Sequence, residues 1–347
     1  MHLDDLRSRL RGLGAKPCHE RRVLRAWTLG KPLDHGPRAA GDWLPLAVRQ
    51  ALPSLAAEWD GIARVQSRHE STDATASRLL VALADGQQVE AVLLPRGGLC
   101  VSSQVGCAVG CTFCMTGRTG LQRHLGSAEI VAQVAAARRL REVRKVVFMG
   151  MGEPSHNLEA VMEAIEWLGT EGAIGHKNLV FSTVGDLRAF ERLPLGPVKP
   201  ALALSLHSTF PAVRARLLPR APRIDPAELV ERAEAYARAT GYPVQYQWTL
   251  LAGVNDGDDE VEGIARLLAG KYAVMNLIRF NPVDGTGHAR AGDDRTAQIV
   301  SRLNRRGVLT KLRDSAGQDV EGGCGQLRAR AARARPVSFP ATTPSSP

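Results

Sequence analysis

Cys107, Cys111 and Cys114 stand in C-x3-C-x2-C spacing inside "CVSSQVGCAVGCTFCMTG", a stretch from Cys100 to Gly117 that holds four of the six cysteines of the chain. Thiolates are soft ligands, suited to zinc or to an iron–sulfur cluster. A structural zinc site asks for four closed ligands, often from paired C-x2-C elements. Here three are close together, and a fourth from Cys100 or His124 follows no pattern. Three thiolates on a four-iron cluster leave one iron open to a small molecule. Cys324, in "GGCGQL", lies far along the chain, and Cys18 belongs to neither group and reads as an ordinary small side chain.

The cysteine loop directly follows the strand-like "LCVSSQ". Helix-like "SAEIVAQVAAARRL" comes next, with Ser127 placed to cap it. Strands "KVVFMG", "NLVFST", "ALALSLH", "VQYQWTLLAG", "AVMNLIRFNP" and "VLTKLRD" then alternate with helical segments. Several of these strands are continuous apolar runs, as in a parallel sheet covered by helices. About six βα units result, too few to close an eight-stranded barrel, so the pattern predicts an α/β fold built as an open, partial barrel. Chemistry in such folds gathers at the carboxyl ends of the strands. Those ends carry Gly152 and Glu153 in "GMGEP", Ser182 in "STVG", Ser205 and His207 in "SLHS", and Asn281 in "FNP". Glycine lets backbone approach a ligand, and a glutamate can accept from an ammonium. Each residue alone has an ordinary structural reading; together they ring the three-cysteine loop.

Upstream, residues 1–70 read as a small basic helical domain, with prolines near the turns of "DWLPLAVRQALPSLAAEW". Residues 71–98 read as a β-hairpin extension turning at Asp85-Gly86. In "VEAVLL", period-two alternation puts Glu90 on the face of Val92 and Leu94. A carboxyl on an apolar face holds its proton more tightly than one in water, which suits a proton acceptor near neutral pH. The competing reading is a strand-edge glutamate facing solvent. The barrel spans 99–327, and 328–347 is Arg/Ala-rich and then Pro/Ser-rich, the composition of a disordered tail.

The 347 residues are 44% hydrophobic and 23% charged, enough for a substantial core. No apolar run reaches membrane-span length. The opening "MHLDDLRSRLRGLG" is no secretory signal. A cytoplasmic protein is expected, with reduced thiols that argue for metal or catalytic cysteines. Net charge is +10, and 38 of the 45 basic residues are arginine. Arginine forks match phosphate and stack on bases, so nucleic-acid binding stands level with a merely solvated basic surface.

"CVSSQVGCAVGCTFC", "GMGEP", "SLH", "NLIRFNP" and "GCGQL", with "STDAT" and "VEAVLLP" upstream, together resemble the RlmN/Cfr family of radical-SAM RNA adenosine methyltransferases, from about Leu10 to Leu327. The resemblance implies a partial (βα)6 radical-SAM barrel and a 4Fe-4S cluster on Cys107, Cys111 and Cys114. It implies S-adenosylmethionine contacts at Gly152, Glu153, Ser182, Ser205, Leu206, His207 and Asn281. It further implies that Cys324 carries the methyl group, that Cys100 releases the product through a transient disulfide with Cys324, and that Glu90 removes the adenine proton. The implied substrate is an adenosine of 23S ribosomal RNA, methylated at C2, sometimes with certain tRNAs; related members act at C8. An electron donor such as a flavodoxin, a monomeric state and an RNA-assisting N-terminal domain belong to the same expectation. "SLHS" in place of the commoner "SLHA" is a small departure. Two rivals stand beside it: a radical-SAM enzyme with a non-RNA substrate, and a zinc-stabilised RNA-binding protein.

Overall fold

The chain opens with three helices, α1 (Leu3–Gly12), α2 (Pro17–Thr28) and α3 (Leu46–Ile62). The structure is a computed structural model and describes residues 1–36, 39–283 and 285–329. Leu3, Leu6 and Leu10 of α1 and Val23, Leu24 and Trp27 of α2 recur at helical spacing and are buried. Trp27 meets Trp59 of α3 edge-on, with ring centroids 5.6 Å apart. Pro53 sits inside α3 instead of at a turn. It removes one backbone hydrogen bond there, and the helix is held by burial of Val48, Leu55, Trp59 and Ile62.

The helical segment ends at Ile62, short of the expected residue 70. Ala63–Glu70 is a strand, β1, antiparallel to β2 (Ser77–Leu83), which pairs antiparallel with β3 (Gln88–Leu94). The predicted hairpin is thus the inner part of a three-stranded meander. Its turn uses Gly86 at φ +82°, whose N–H donates to Leu83 O at 3.0 Å.

β4 (Gly98–Val101) pairs antiparallel with β3 on one side and is the first parallel barrel strand on the other. β5 (Gln104–Gly106) and β6 (Leu121–His124) then form a separate two-stranded ribbon that pinches the base of the cysteine loop. The rest alternates: α4 (Ser127–Leu140), β7 (Lys145–Phe148), α5 (Leu158–Thr170), β8 (Leu179–Thr183), α6 (Leu187–Arg192), β9 (Ala201–Ser205), α7 (Pro211–Leu217), α8 (Pro226–Thr240), β10 (Val244–Leu250), α9 (Asp258–Leu267), β11 (Ala273–Arg279), α10 (Asp293–Arg305) and β12 (Thr310–Arg313). One ten-stranded sheet runs β1-β2-β3-β4-β7-β8-β9-β10-β11-β12, parallel from β4 onward. The expected α/β partial barrel is present, fused edge-on to the antiparallel meander.

Helix α4 is buried on nearly every face, because α1, α2, α3 and α5 pack around it. Ser127 is not its cap; Gly126 is, with its N–H given to Glu129 Oε2 at 2.8 Å. Ser127 Oγ instead accepts from Leu3 N at 2.9 Å and donates to Glu163 at 2.5 Å, tying α1 to the barrel.

The sheet does not close on itself: β1 and β12 are its two edges. The segment after β12 crosses the gap. Asp319 Oδ2 accepts from Thr72 N at 2.7 Å, and Val320 O accepts from Arg78 Nε at 2.6 Å. Residues 330–347, most of the expected tail, lie outside the described residues. Among the described residues no helix is long and apolar enough to cross a membrane.

Candidate active site

The cysteine loop is folded by its own backbone. Gly106 has φ +76°, and a Cβ there would lie 1.9 Å from Gly120 O, so only glycine lets the two ends of the loop meet. Cys107 N donates to Gly120 O at 3.1 Å and Cys114 N to Cys111 O at 3.1 Å. Thr112 N donates to Leu217 O at 3.0 Å, anchoring the tip of the loop to α7.

Burial pushes the Cys107 thiol up to about 12, with the charges of Glu153 and Cys114 adding to the effect. Burial also pushes Cys111 well up, followed by the charges of Cys114, Cys107 and Glu153. The three thiols therefore sit close enough to oppose one another's ionisation. A bound multivalent metal centre reverses that balance and holds thiolates. Among the described residues no three His, Cys, Asp or Glu side chains converge as they would around a single ion. A four-iron cluster takes one thiolate per iron and needs them spread wider. Three thiols in C-x3-C-x2-C spacing without a patterned fourth ligand fit a cluster with one open position better than a closed four-ligand zinc site.

Glu153 stands beside this loop, 5% exposed. Its Oε1 accepts from Ser155 N at 3.1 Å and Ser155 Oγ at 2.8 Å, and its Oε2 accepts from Val184 N at 3.1 Å. All three donors are neutral, so the carboxylate is placed without a cation in ion-pair contact. Gly152 has φ +105°, and a Cβ there would lie 2.6 Å from the Gln104 side chain. Gln104 Oε1 accepts from Glu153 N at 2.8 Å, joining "SSQ" to "GMGEP".

Ser182 and Ser205 stand near the ends of β8 and β9. Leu206 is fully buried, gives its N–H to Gln247 O at 3.1 Å and accepts from Ser208 N at 2.8 Å on its own carbonyl, so its backbone is already bonded on both sides. His207 is a non-glycine residue at φ +59°, a conformation that costs about 1 kcal/mol or more. Asn255 Nδ2 holds its carbonyl at 2.8 Å, and Thr249 N donates to its Nδ1 at 3.0 Å. Burial, then the charge of Arg214, pushes the ring down to about 3. His207 is neutral at physiological pH, with its proton on Nε2. Its ring packs edge-on against Phe113, at 4.8 Å.

Asn281 has two roles. Its Nδ2 donates to Cys324 O at 2.9 Å and to Ser315 Oγ at 3.0 Å, while its buried Oδ1 has no partner. A buried acceptor left unsatisfied costs about 1–3 kcal/mol. This atom, with the uncompensated Glu153 and the Gly152 cradle, is what a polar cofactor such as S-adenosylmethionine would use.

Cys324 joins these residues through its backbone carbonyl, which accepts from Asn281 Nδ2. Gly325 O accepts from Met115 N at 2.7 Å and Leu327 O from Thr116 Oγ1 at 2.7 Å, so its loop is bonded to the residues just past Cys114. The thiol is exposed by area yet surrounded by protein, and that desolvation pushes it up. A Ser315 hydrogen bond and the charge of Arg313 oppose the shift. Cys100 is buried and is pushed up strongly by desolvation, then by the charge of Cys324. All six cysteines are free thiols, and no disulfide joins this pair. The segment after β12, and not β12 itself, carries Cys324 back toward Cys100.

Glu90 departs from expectation in its surroundings. It shares the inner face of the sheet with Cys100, since Val92 pairs with Cys100 across β3 and β4. It is neither solvent-facing nor alone on an apolar face: Glu90 and Arg78, each 1% exposed, form a buried ion pair. The second oxygen of Glu90 accepts from Arg328 N at 2.8 Å. Sequence reasoning passed over Arg78, Arg214 and Ser315. Arg78 was findable: a turn at Asp85-Gly86 pairs Arg78 with Val92, two residues from Glu90. Arg214 and Ser315 carry no sequence signal. Cys18 is exposed on α2, apart from this site.

The profile of the Radical SAM superfamily matches residues 101–268. A probable RNA methyltransferase of Leptothrix cholodnii is 69% identical over 330 residues, 95% of each chain. Another, of Azoarcus sp., is 64% identical over the whole of both chains. The crystal structure of a radical SAM methyltransferase from Sphaerobacter thermophilus superposes with a TM-score of 0.82 at 33% identity, covering 95% of this chain and 98% of that one. The chain belongs to the radical SAM superfamily, and within it to the family of these probable RNA methyltransferases.

Proposed function

We propose that this protein methylates an adenosine base of RNA, at C2 of an adenosine in 23S ribosomal RNA and in some tRNAs, through a methyl group carried on Cys324. The observation that supports this most is the Met115 N to Gly325 O hydrogen bond of 2.7 Å, which couples the Cys324 loop to the cysteine loop. The RNA substrate follows the relatives, which are probable RNA methyltransferases, and the +10 charge.

With Cys107, Cys111 and Cys114 holding a 4Fe-4S cluster and S-adenosylmethionine bound, the cofactors supply the methyl group and the one-electron oxidant that activates it. Glu153, Gly152, Asn281 and the Ser182, Ser205, Leu206 and His207 strand ends orient the cofactor. Cys324 Sγ bears the one-carbon unit and joins it to the ring carbon. Glu90 accepts the ring proton as the adduct gives up its one remaining unpaired electron to the electron-transfer partner that serves the cluster, and this requires the bond of Glu90 to Arg78 or Arg328 to loosen. Cys100 Sγ attacks Cys324 Sγ: the S–S bond forms, the Cys324 S–C bond breaks, and its electron pair leaves with the product carbon, which takes a proton. External reduction then restores both thiols, and a flavodoxin-type donor feeds the cluster. Because both thiols are pushed up, the attack needs Cys100 to lose its proton as RNA binds.

The test is incubation of anaerobically reconstituted protein with methyl-labelled S-adenosylmethionine and total bacterial RNA, followed by nucleoside mass spectrometry. Labelled 2-methyladenosine that disappears with Cys324→Ala is expected. Label in 8-methyladenosine would move the position, and label on no nucleoside would reject the RNA reading.

A further inference from the structure

Paired residues of a parallel ladder point to the same face of the sheet. From β4 onward one such row runs Cys100–Val147–Val180–Ala201. A neighbouring row runs Ser205–Gln247–Asn276–Lys311. Val180, Ala201 and Ala203 form a small apolar cluster of their own on this inner face, while Val146 and Phe148, at alternate positions, join the main core. Lys145, two residues before Val147, therefore points inward, and so do Lys311 and Arg313 of β12.

The inward positions of β4 and of β7 to β12 hold these three cations and no Asp or Glu. Among the described residues none of the three side chains has an ion-pair or hydrogen-bond partner. Asp314, next to Arg313 in the chain, lies against Arg279 and Arg290 instead, at 3.6 and 3.5 Å. Burial, then the charge of Arg313, lowers Lys145. β7 and β12 are not neighbours in the sheet, so its curvature brings these two cations within reach of each other. Like charges on one face repel, and an anion between them reverses the sign. The thiols account for little of this charge: that of Arg313 reaches Cys324, and none of the three is felt at Cys100.

We infer that Lys145, Lys311 and Arg313 receive backbone phosphates of the RNA segment that brings the adenosine in, an assignment that rests on the RNA reading above. A single strand carries one negative charge at each phosphate. Lys311 and Arg313 stand two residues apart on β12, an edge of the open sheet, where a polynucleotide can reach them. Phosphate contacts position a strand without reading its sequence. Here they hold the base near Cys324, whose thiol feels Arg313.

The experiment is filter binding of the anaerobically loaded protein to fragmented total bacterial RNA over a series of salt concentrations, iron content and melting temperature being matched across variants. Lys145→Gln, Lys311→Gln and Arg313→Gln combined lose about tenfold or more in affinity and flatten the slope of log affinity against log salt by about 2, at about 0.7 per phosphate. Lys311→Gln alone, at an exposed position, flattens it by about 0.7 and carries the test if the triple variant does not load. Lys311→Arg keeps the slope. Arg266→Gln, exposed on α9, controls for loss of a charge elsewhere and keeps it too. A triple variant with the wild-type slope, or equal flattening in Arg266→Gln, overturns the assignment. RNA affinity retained while Cys324 alkylates more slowly in Arg313→Gln gives that charge to the thiol and overturns it as well. Wild type that holds iron but retains no RNA rejects the RNA reading, and this assignment with it.

Discussion

Two buried carboxylates stand on the inner side of the sheet, and they are treated oppositely. Glu90, on the antiparallel side, is closed: Arg78 and the Arg328 N–H occupy its oxygens. Glu153, on the parallel side, is open to a cation: Ser155 and Val184 place it with neutral donors, and the nearby Arg214 is held off on carbonyls. A buried ion pair gains little net stability over apolar packing, but losing one partner strands the other. The closed pair therefore locks the meander to the C-terminal segment, and can act as a base only by opening. The open pair keeps its charges available for something not made of protein.

The largest expected effect breaks the closed pair. Glu90→Ala takes the carboxylate away from a buried guanidinium, at about 3–5 kcal/mol, read by chemical denaturation. Replacing both, Arg78→Met with Glu90→Leu, restores most of that. On RNA, Glu90→Ala is expected to form methyl-Cys324 and then stall as a covalent protein–RNA adduct, seen by mass spectrometry. Normal turnover would remove Glu90 from the chemistry.

Glu153→Gln sharpens the other side. The variant keeps the side-chain shape and one accepting oxygen, gives up the hydrogen bond on the other side, and loses the charge that favours an ammonium. The loss in S-adenosylmethionine affinity is expected at about ten- to a hundredfold. A variant that bound as tightly as wild type would mean that Glu153 only shapes the strand ends.

His207 gives a smaller, pH-dependent effect. Its folded value near 3 lies below the ordinary histidine range, so between about pH 6.5 and 3 the unfolded chain binds a proton that the native state refuses. The stability it contributes is present above about pH 6.5 and falls as pH drops through that window, by up to about 1.4 kcal/mol per unit. His207→Gln should flatten that part of a stability-against-pH curve; an unchanged slope would mean the ring is protonated when folded.

The smallest effect separates the thiols of Cys324 and Cys100. Alkylation mapped by peptide mass spectrometry should label Cys324 faster as pH rises past 9, because its thiol is accessible but pushed up. Cys100, buried and pushed up further, should resist. Equal labelling of both would contradict the burial described here.

Much of the candidate site was legible in the sequence because its residues stand at strand ends. Gly152, Glu153, Ser182, Ser205, His207 and Asn281 each follow an apolar run, and parallel topology puts all such ends on one side. Strand β1 was missed because "ARVQSRHE" is polar at most positions and relies on β2 for its pairing. Ser127 was misassigned because a capping residue and a tether look alike until Leu3 and Glu163 come into reach.

The sequence by itself determined the cysteine loop, the order of βα units and the polar strand ends, since each depends on spacing within one short segment. Tertiary structure alone decided that Glu90 is paired, that Glu153 and Arg214 are kept apart, and that Cys324 returns to Cys100 on the segment after β12. Those outcomes depend on which charges and thiols meet inside a water-poor interior. Contacts between residues tens to hundreds of positions apart decide that, and local spacing does not encode them.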